Sequence, residues 1–250
     1  MVDLVVISSE QHRNTRVAVA RATQLVHNAV SVVPREFGRL LAHFPLFFSK
    51  SAENGQFEPV ALLGFDRAEN LFLVNGLWDT TYVPLQVQRQ PFSLAPRAVG
   101  GEQQLDIALD MSSPAVQSTE GERLFADNGQ PSDYLRNVSS MLSALVAGSR
   151  EAYAFTQRLT ELNLLESVRV DIQFVNGSSS KLEGLFWIAA AVFKVLPAEQ
   201  LAELRDREYL EWMYFQMASL SHMATLVARK NIKLSASGAG IAGGVRPAAV

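Results

Sequence analysis

The order in which two hydrophobic periods succeed each other along this chain restricts the folds open to it. From Val30 to Phe92 the apolar residues come in short runs broken by turn signals. Ala42 to Ser49 is aromatic and extended around Pro45, and the dipeptide Asn54-Gly55 predicts a hairpin. Phe57 to Phe65 and Leu71 to Val74 follow, separated by Asp66 to Asn70 and closed by Asn75-Gly76, a pattern that predicts antiparallel neighbours. Pro84 and Pro91 each remove a backbone donor, so Tyr82 to Phe92 reads as an edge or crossing segment. Gln104 to Met111 reads as a strand, and Ser112 to Gly129 as a polar loop anchored by Leu124 and Phe125. The period then changes. Pro131-Ser132-Asp133 reads as a helix start, after which Tyr134, Leu135, Val138, Met141, Leu142 and Leu145 share one helical face. Gly148 reads as its end, and a second helix from about Ser149 to Asn163 completes a helical hairpin. Period two returns where Val168, Val170, Ile172 and Phe174 alternate with Arg169, Asp171 and Gln173. Asn176-Gly177 then turns the chain back, so that Leu182 to Ile188 pairs with this strand. Leu196-Pro197 opens a helical pattern that runs to about Arg229.

This order lacks the regular strand–helix alternation of a parallel sheet. It predicts an α+β fold with a mainly antiparallel sheet and packed helices in the C-terminal half. A chain of 250 residues buries about 70–75% of its unfolded surface, enough for a core without metal or disulfide staples. Residues 1–234 are expected to form a single domain. Residues 235–250 are rich in Gly and Ala, with too little bulky apolar surface to offset the roughly 1–2 kcal/mol per residue that backbone ordering costs, and are expected to form a flexible tail.

Several function classes lose support at once. A formal net charge of −3 without long runs of like charge argues against nucleic acid as a partner. The absence of cysteine excludes disulfides, thiolate metal sites and thiol nucleophiles. The opening segment MVDLVVISSEQHRNTR lacks the basic flank and long apolar centre of a secretory signal, which makes the cytoplasm the expected location. The most apolar window, Leu182 to Leu196, falls short of the roughly 20 residues a spanning helix needs and is interrupted by Glu183 and Lys194, so no membrane span is expected. Gly238, Gly240 and Gly243 spell a dinucleotide fingerprint, yet only seven residues follow, too few for the helix and second strand that such a site requires. No nucleophile elbow or phosphate-binding loop occurs, and His12, His27, His43 and His222 show none of the paired spacings of metal ligands. The sequence therefore predicts no cofactor and leans away from an enzyme. The alternative is a metal-dependent, oxygenase-like enzyme in which histidines meet Asp79 or Asp106 only in the fold.

The cluster best suited to recognition is Trp78, Asp79, Tyr82, Arg89 and Phe92, where amphipathic aromatics and a guanidinium fall within fifteen positions. These residues suit a ligand groove or an interface anchor for a protein or peptide. The alternative is aromatic core packing closed by an Asp79–Arg89 pair.

Two motifs, EFGRLLAHFPLFFSK and LWDTTYVPLQVQRQPF, together with ISSEQHRNTRV, FEPVALLGFDRAENLFLV, RLFADNGQPSDYLRNV, FTQRLTELNLL and LEGLFWIAAAVFKVLP, resemble the bacterial SapC-like family, whose name comes from a protein associated with a surface layer. The resemblance runs from about Ile7 to Asn231. By motif it matches His12 to the family's histidine and carries over Trp78, Tyr82, Pro84, Arg89, Pro91 and Phe92. Gln88 and Gln90 stand where relatives tend to have a second arginine and an aromatic, and Ala189-Ala190 where they tend to have an acidic pair. The resemblance implies an accessory role beside bacterial uptake or substrate-modification systems. The family's label leaves a surface-layer component as a further alternative.

Overall fold

The structure is a computed structural model that describes residues 3–23, 26–99, 102–117 and 119–239. The fold is α+β, and every strand pairing among the described residues is antiparallel. The chain divides into two compact units. None of the described helices is long and apolar enough to cross a membrane.

The first unit takes Met1–Leu25, Val32–Glu36 and Leu73–Ala152. Its main sheet has three strands, with Glu102–Asp110 between Leu4–Val6 and Phe92–Val99. Arg16–Val17 pairs on both sides, with Val116–Gln117 and with Glu122–Arg123, and Leu73–Val74 forms a ribbon with Leu77–Trp78. Leu135, Val138 and Leu142, spaced to share one face of a helix, close over Val17, Phe92, Leu109, Leu124 and Phe125 to form the core.

The second unit takes Val26–Ser31, Phe37–Phe72 and Tyr153–Val250. Its five-stranded sheet runs in the order Leu165–Gln173, Ser179–Ile188, Leu46–Lys50, Phe57–Leu62, Ala29–Ser31. The hairpin predicted at Asn54-Gly55 is present, with Leu46 opposite Ala61 and Lys50 opposite Phe57, and Gly55 takes the positive φ that the turn needs. The alternating segment around Val168 pairs with Ser179–Ile188 through a register shift between Val168 and Val170. A buried glutamine fastens the helix Tyr209–Ser219 to this sheet. The Gln216 amide donates to the Leu46 carbonyl at 2.9 Å and accepts from the Ile188 N–H at 3.1 Å, which satisfies polar backbone inside the core.

Beyond the short strands Val116–Gln117 and Glu122–Arg123 inside the expected loop Ser112 to Gly129, the elements differ from expectation in four places. Leu73–Val74 pairs with Leu77–Trp78, whereas the run was expected to continue the sheet of Phe57–Leu62. Tyr82 to Phe92 holds a single helical turn, Leu85–Gln88, before the strand Phe92–Val99. The C-terminal helical pattern is divided among Ala198–Asp206, Tyr209–Ser219 and His222–Ala239, so residues 235–239 of the expected tail are helical and the rest lies outside the described residues.

The fourth difference is the helical hairpin, which is one continuous 29-residue helix, Asp133–Glu161. Gly148 sits inside it for a tertiary reason. A Cβ there would come within 2.7 Å of the Val33 Cβ, so the glycine makes room for Val33. In an open helix, Gly→Ala gains about 1 kcal/mol of propensity. Overpacking here costs about 1–3 kcal/mol. Gly148→Ala is therefore expected to lower stability in urea unfolding by up to about 2 kcal/mol, where the same change in an open helix raises it.

Candidate functional site

The two motifs meet at one buried carboxylate. Pro34–Glu36 is a single 3-10 turn, and the Glu36 side chain folds back so that Oε1 accepts the Val33 N–H at 3.0 Å, as a glutamate in a capping box does. Its other oxygen, Oε2, accepts the Tyr82 hydroxyl at 2.9 Å and the Leu85 N–H at 2.8 Å. Leu85 is the first residue of the turn Leu85–Gln88, and its N–H is one of the donors that a helix start leaves without an internal partner. One carboxylate thus caps two short helical turns, each opened by a proline, and Glu36 is only 2% exposed.

The other predicted residues surround this pin. Half-buried Trp78 donates its indole N–H to the Thr23 carbonyl at 2.7 Å. Half-buried Arg89 donates from Nη1 to the Phe92 carbonyl at 2.6 Å and from Nε to Gln86, where a pairing with Asp79 had been the alternative expectation. Burial holds the Arg89 guanidinium below its ordinary pKa. Phe92 is fully buried in the core, its ring 5.9 Å from Tyr134 in an edge-on contact. Asp79 is exposed where the chain leaves the ribbon. His12 is buried away from this cluster; its Nδ1 accepts the Ser8 N–H at 3.1 Å while the His12 backbone N–H donates to the Ser8 carbonyl at 2.9 Å, so side chain and backbone together close a turn.

Two cavities are lined in part by the Leu85–Gln88 turn and by Arg89, which follows it. The larger, about 490 Å³, falls in the usual range for ligand pockets and is lined by Val19, Thr23, Gln88, Tyr134, Val138 and Met141, with Glu122, Asp133 and Asn137 at its polar positions. Trp78 abuts it through Thr23, and Phe92 through Tyr134. Burial, with the charge of Glu122 added, pushes the Tyr134 hydroxyl up to about 12, so it remains a donor at all physiological pH values. The smaller cavity, about 220 Å³, is lined by Gln86, Arg89, Ser93, Leu94, Leu142 and Leu145, among others.

The pin was not singled out in the sequence. Glu36 opens the first motif, and the proline two positions before it marks a turn, but nothing local shows that a carboxylate will be buried and shared. Tyr134 was legible as a helical core residue and not as a cavity wall. Among the described residues, no group of three or more His, Asp or Glu side chains stands close enough to share a metal ion. His222 bonds to the Leu41 carbonyl at 2.6 Å, and His43 stacks edge-on against Phe44.

Comparison with known proteins adds one match. No curated protein and no solved structure matches the chain. A family model does, over residues 7–226, and its description is SapC.

Proposed function

The chain belongs to the SapC family, and from that premise we propose that it is a binding module, an accessory protein of a bacterial uptake or substrate-modification system that acts in the cytoplasm and takes a protein or peptide partner on its Trp78–Phe92 segment. The observation that supports this reading is that one fixed helical turn contributes side chains to the walls of two cavities. Gln88 lines one, and Gln86 and Arg89 line the other. The turn is fixed by Glu36, so little backbone entropy is lost when a partner docks against it. The ribbon that leads into the segment carries Leu77 at 62% and Val74 at 50% exposure, apolar surface of the kind that interfaces cover.

The test is partner recovery by the wild-type chain and by Met141→Glu, which forces a charge into the larger cavity without touching Glu36 or its donors. The variant is expected to recover about a tenth of the partner or less, because a buried charge with no counter-ion is costly in an interface. Equal recovery by a variant of unchanged melting temperature would remove this cavity from the account.

A further inference from the structure

The larger cavity has an acidic end and an apolar end. The described residues that line it include two carboxylates, Glu122 and Asp133, and no lysine or arginine. Asp133 is compensated, since it opens the helix Asp133–Glu161, where the positive end of the helix dipole favours it, and Arg136 bonds to it. Glu122 makes no side-chain hydrogen bond or ion pair among the described residues, and the arginines of the adjoining elements are bonded elsewhere, Arg123 to Asp127 at 2.7 Å and Arg16 to the Gly121 carbonyl at 2.9 Å. The Glu122 charge nevertheless reaches into the cavity, because it adds to the burial that pushes the Tyr134 hydroxyl up to about 12.

The two ends are separated along the helix. Ser132 donates its N–H to the Leu124 carbonyl at 3.0 Å and its hydroxyl to the Arg123 carbonyl at 2.6 Å, which ties the strand Glu122–Arg123 to the helix start. From Tyr134 to Met141 the helix rises about 10 Å, and there Val138 and Met141 make the wall apolar. On the wall formed by the Leu85–Gln88 turn, Gln88 donates from its amide nitrogen to the Val83 carbonyl and keeps its oxygen as an acceptor. Acceptors without a cation, beside aliphatic walls, complement a cationic head on an apolar stem, which lysine and arginine side chains both offer. Arginine is the better fit. Its fork of donors serves a carboxylate and a second acceptor at once, and a guanidinium, more weakly hydrated than an ammonium, loses less on leaving water.

We propose that the larger cavity takes an arginine side chain of a peptide partner, its guanidinium on Glu122, with the next residue of the peptide, an apolar one, seated against Val138 and Met141. This assignment rests on the reading of the Trp78–Phe92 segment as a binding platform and names the partner side chains that the cavity holds.

The test offers the immobilised full chain two pools of hexapeptides, capped at both ends, with Arg-Leu in the middle of one pool, citrulline-Leu in the middle of the other, and random uncharged residues elsewhere. Citrulline keeps the shape of arginine and removes its charge. Retained peptides are counted by mass spectrometry. The wild-type chain is expected to retain the arginine pool about fivefold more, the scale of an ion pair that water still reaches. Glu122→Gln is expected to retain the two pools equally, at an unchanged melting temperature, since the pair exists only with both partners present. Glu120→Gln, which removes an exposed carboxylate that does not line the cavity, is expected to keep the preference. Equal retention of the two pools by the wild type, retention of neither, a preference that survives Glu122→Gln, or one that Glu120→Gln also abolishes would overturn the proposal. So would agmatine that competes as well as the arginine peptides, which would make this a site for free amines. Each of these results would leave the binding-module reading standing, since that reading fails separately, if Met141→Glu leaves partner recovery unchanged; the glutamate there stands at the apolar end, away from the guanidinium on Glu122.

Discussion

Glu36→Ala lowers the stability of the chain by about 3–5 kcal/mol, and Tyr82→Phe lowers it by about 1–2 kcal/mol, as equilibrium denaturation would measure. The size follows from what the carboxylate holds. It accepts from the Val33 N–H, the Tyr82 hydroxyl and the Leu85 N–H, all at 2.8 to 3.0 Å, and Glu36 is 2% exposed. Alanine removes the acceptor and strands these donors, each of which costs about 1–3 kcal/mol unless water reaches it. Tyr82→Phe removes one donor and leaves the carboxylate its other bonds, so its effect is smaller. A Glu36→Ala chain with wild-type stability would mean that the two motifs are held together by packing alone and that the carboxylate is incidental.

The second large effect is expected in the other unit, at Lys230. Its ammonium, on a side chain 8% exposed, bonds to Glu69 at 2.8 Å and to Asp66 at 2.6 Å, and the Glu69 side chain is 3% exposed. Lys230→Met leaves Glu69 buried without its principal cation. Breaking a buried pair from one side costs about 3–5 kcal/mol, and Lys233, at 3.1 Å but largely exposed, offsets only part of it. The dependence on pH identifies the cause. Burial by itself would raise the Glu69 carboxyl, but the hydrogen bonds from Lys230, the Phe65 N–H and Lys233, with the Lys230 charge, outweigh it and hold the carboxyl below its ordinary value. A carboxyl depressed in the folded state contributes stability above its unfolded pKa, about 4.3, and loses it as the pH falls through the folded value. Burial would lower the Lys230 ammonium, yet its bonds to Asp66 and Glu69 raise it, so its contribution is complete below about 10.4 and is lost as the pH rises through the folded value. The penalty of Lys230→Met is therefore greatest near neutral pH and shrinks in acid, where a protonated Glu69 no longer needs a cation. A penalty constant from pH 7 to below pH 4 would show that lost packing, and not the ion pair, accounts for it.

The parts of the fold that the sequence made legible are those whose signal is local and repeated. The alternation from Val168 to Phe174 predicted a strand, and Leu165–Gln173 is one; the helical spacing of Leu135, Val138 and Leu142 predicted the face that closes the first unit's core. Gly148 misled because its purpose is a contact with Val33, more than a hundred positions away, which outweighs the local preference of glycine for helix ends. The turn Leu85–Gln88 has only 4 residues, too few to show a period, so the prolines around it suggested an extended segment. The candidate site was half visible. Its segment could be found from aromatic density, but which members face a cavity depends on partners elsewhere in the chain. Phe92 went to the core and Trp78 to the Thr23 carbonyl, while Arg89 reached a cavity wall.

The proposed meeting of a partner with the Trp78–Phe92 platform is tested most directly by cross-linking. A photoreactive phenylalanine at Met141, in the wall of the larger cavity, is compared with the same residue at Tyr214, which is 56% exposed on the other unit. After irradiation in cells that make the protein, the account predicts a discrete cross-linked species from position 141 and none from position 214. Cross-links from position 214 with none from position 141 would contradict it.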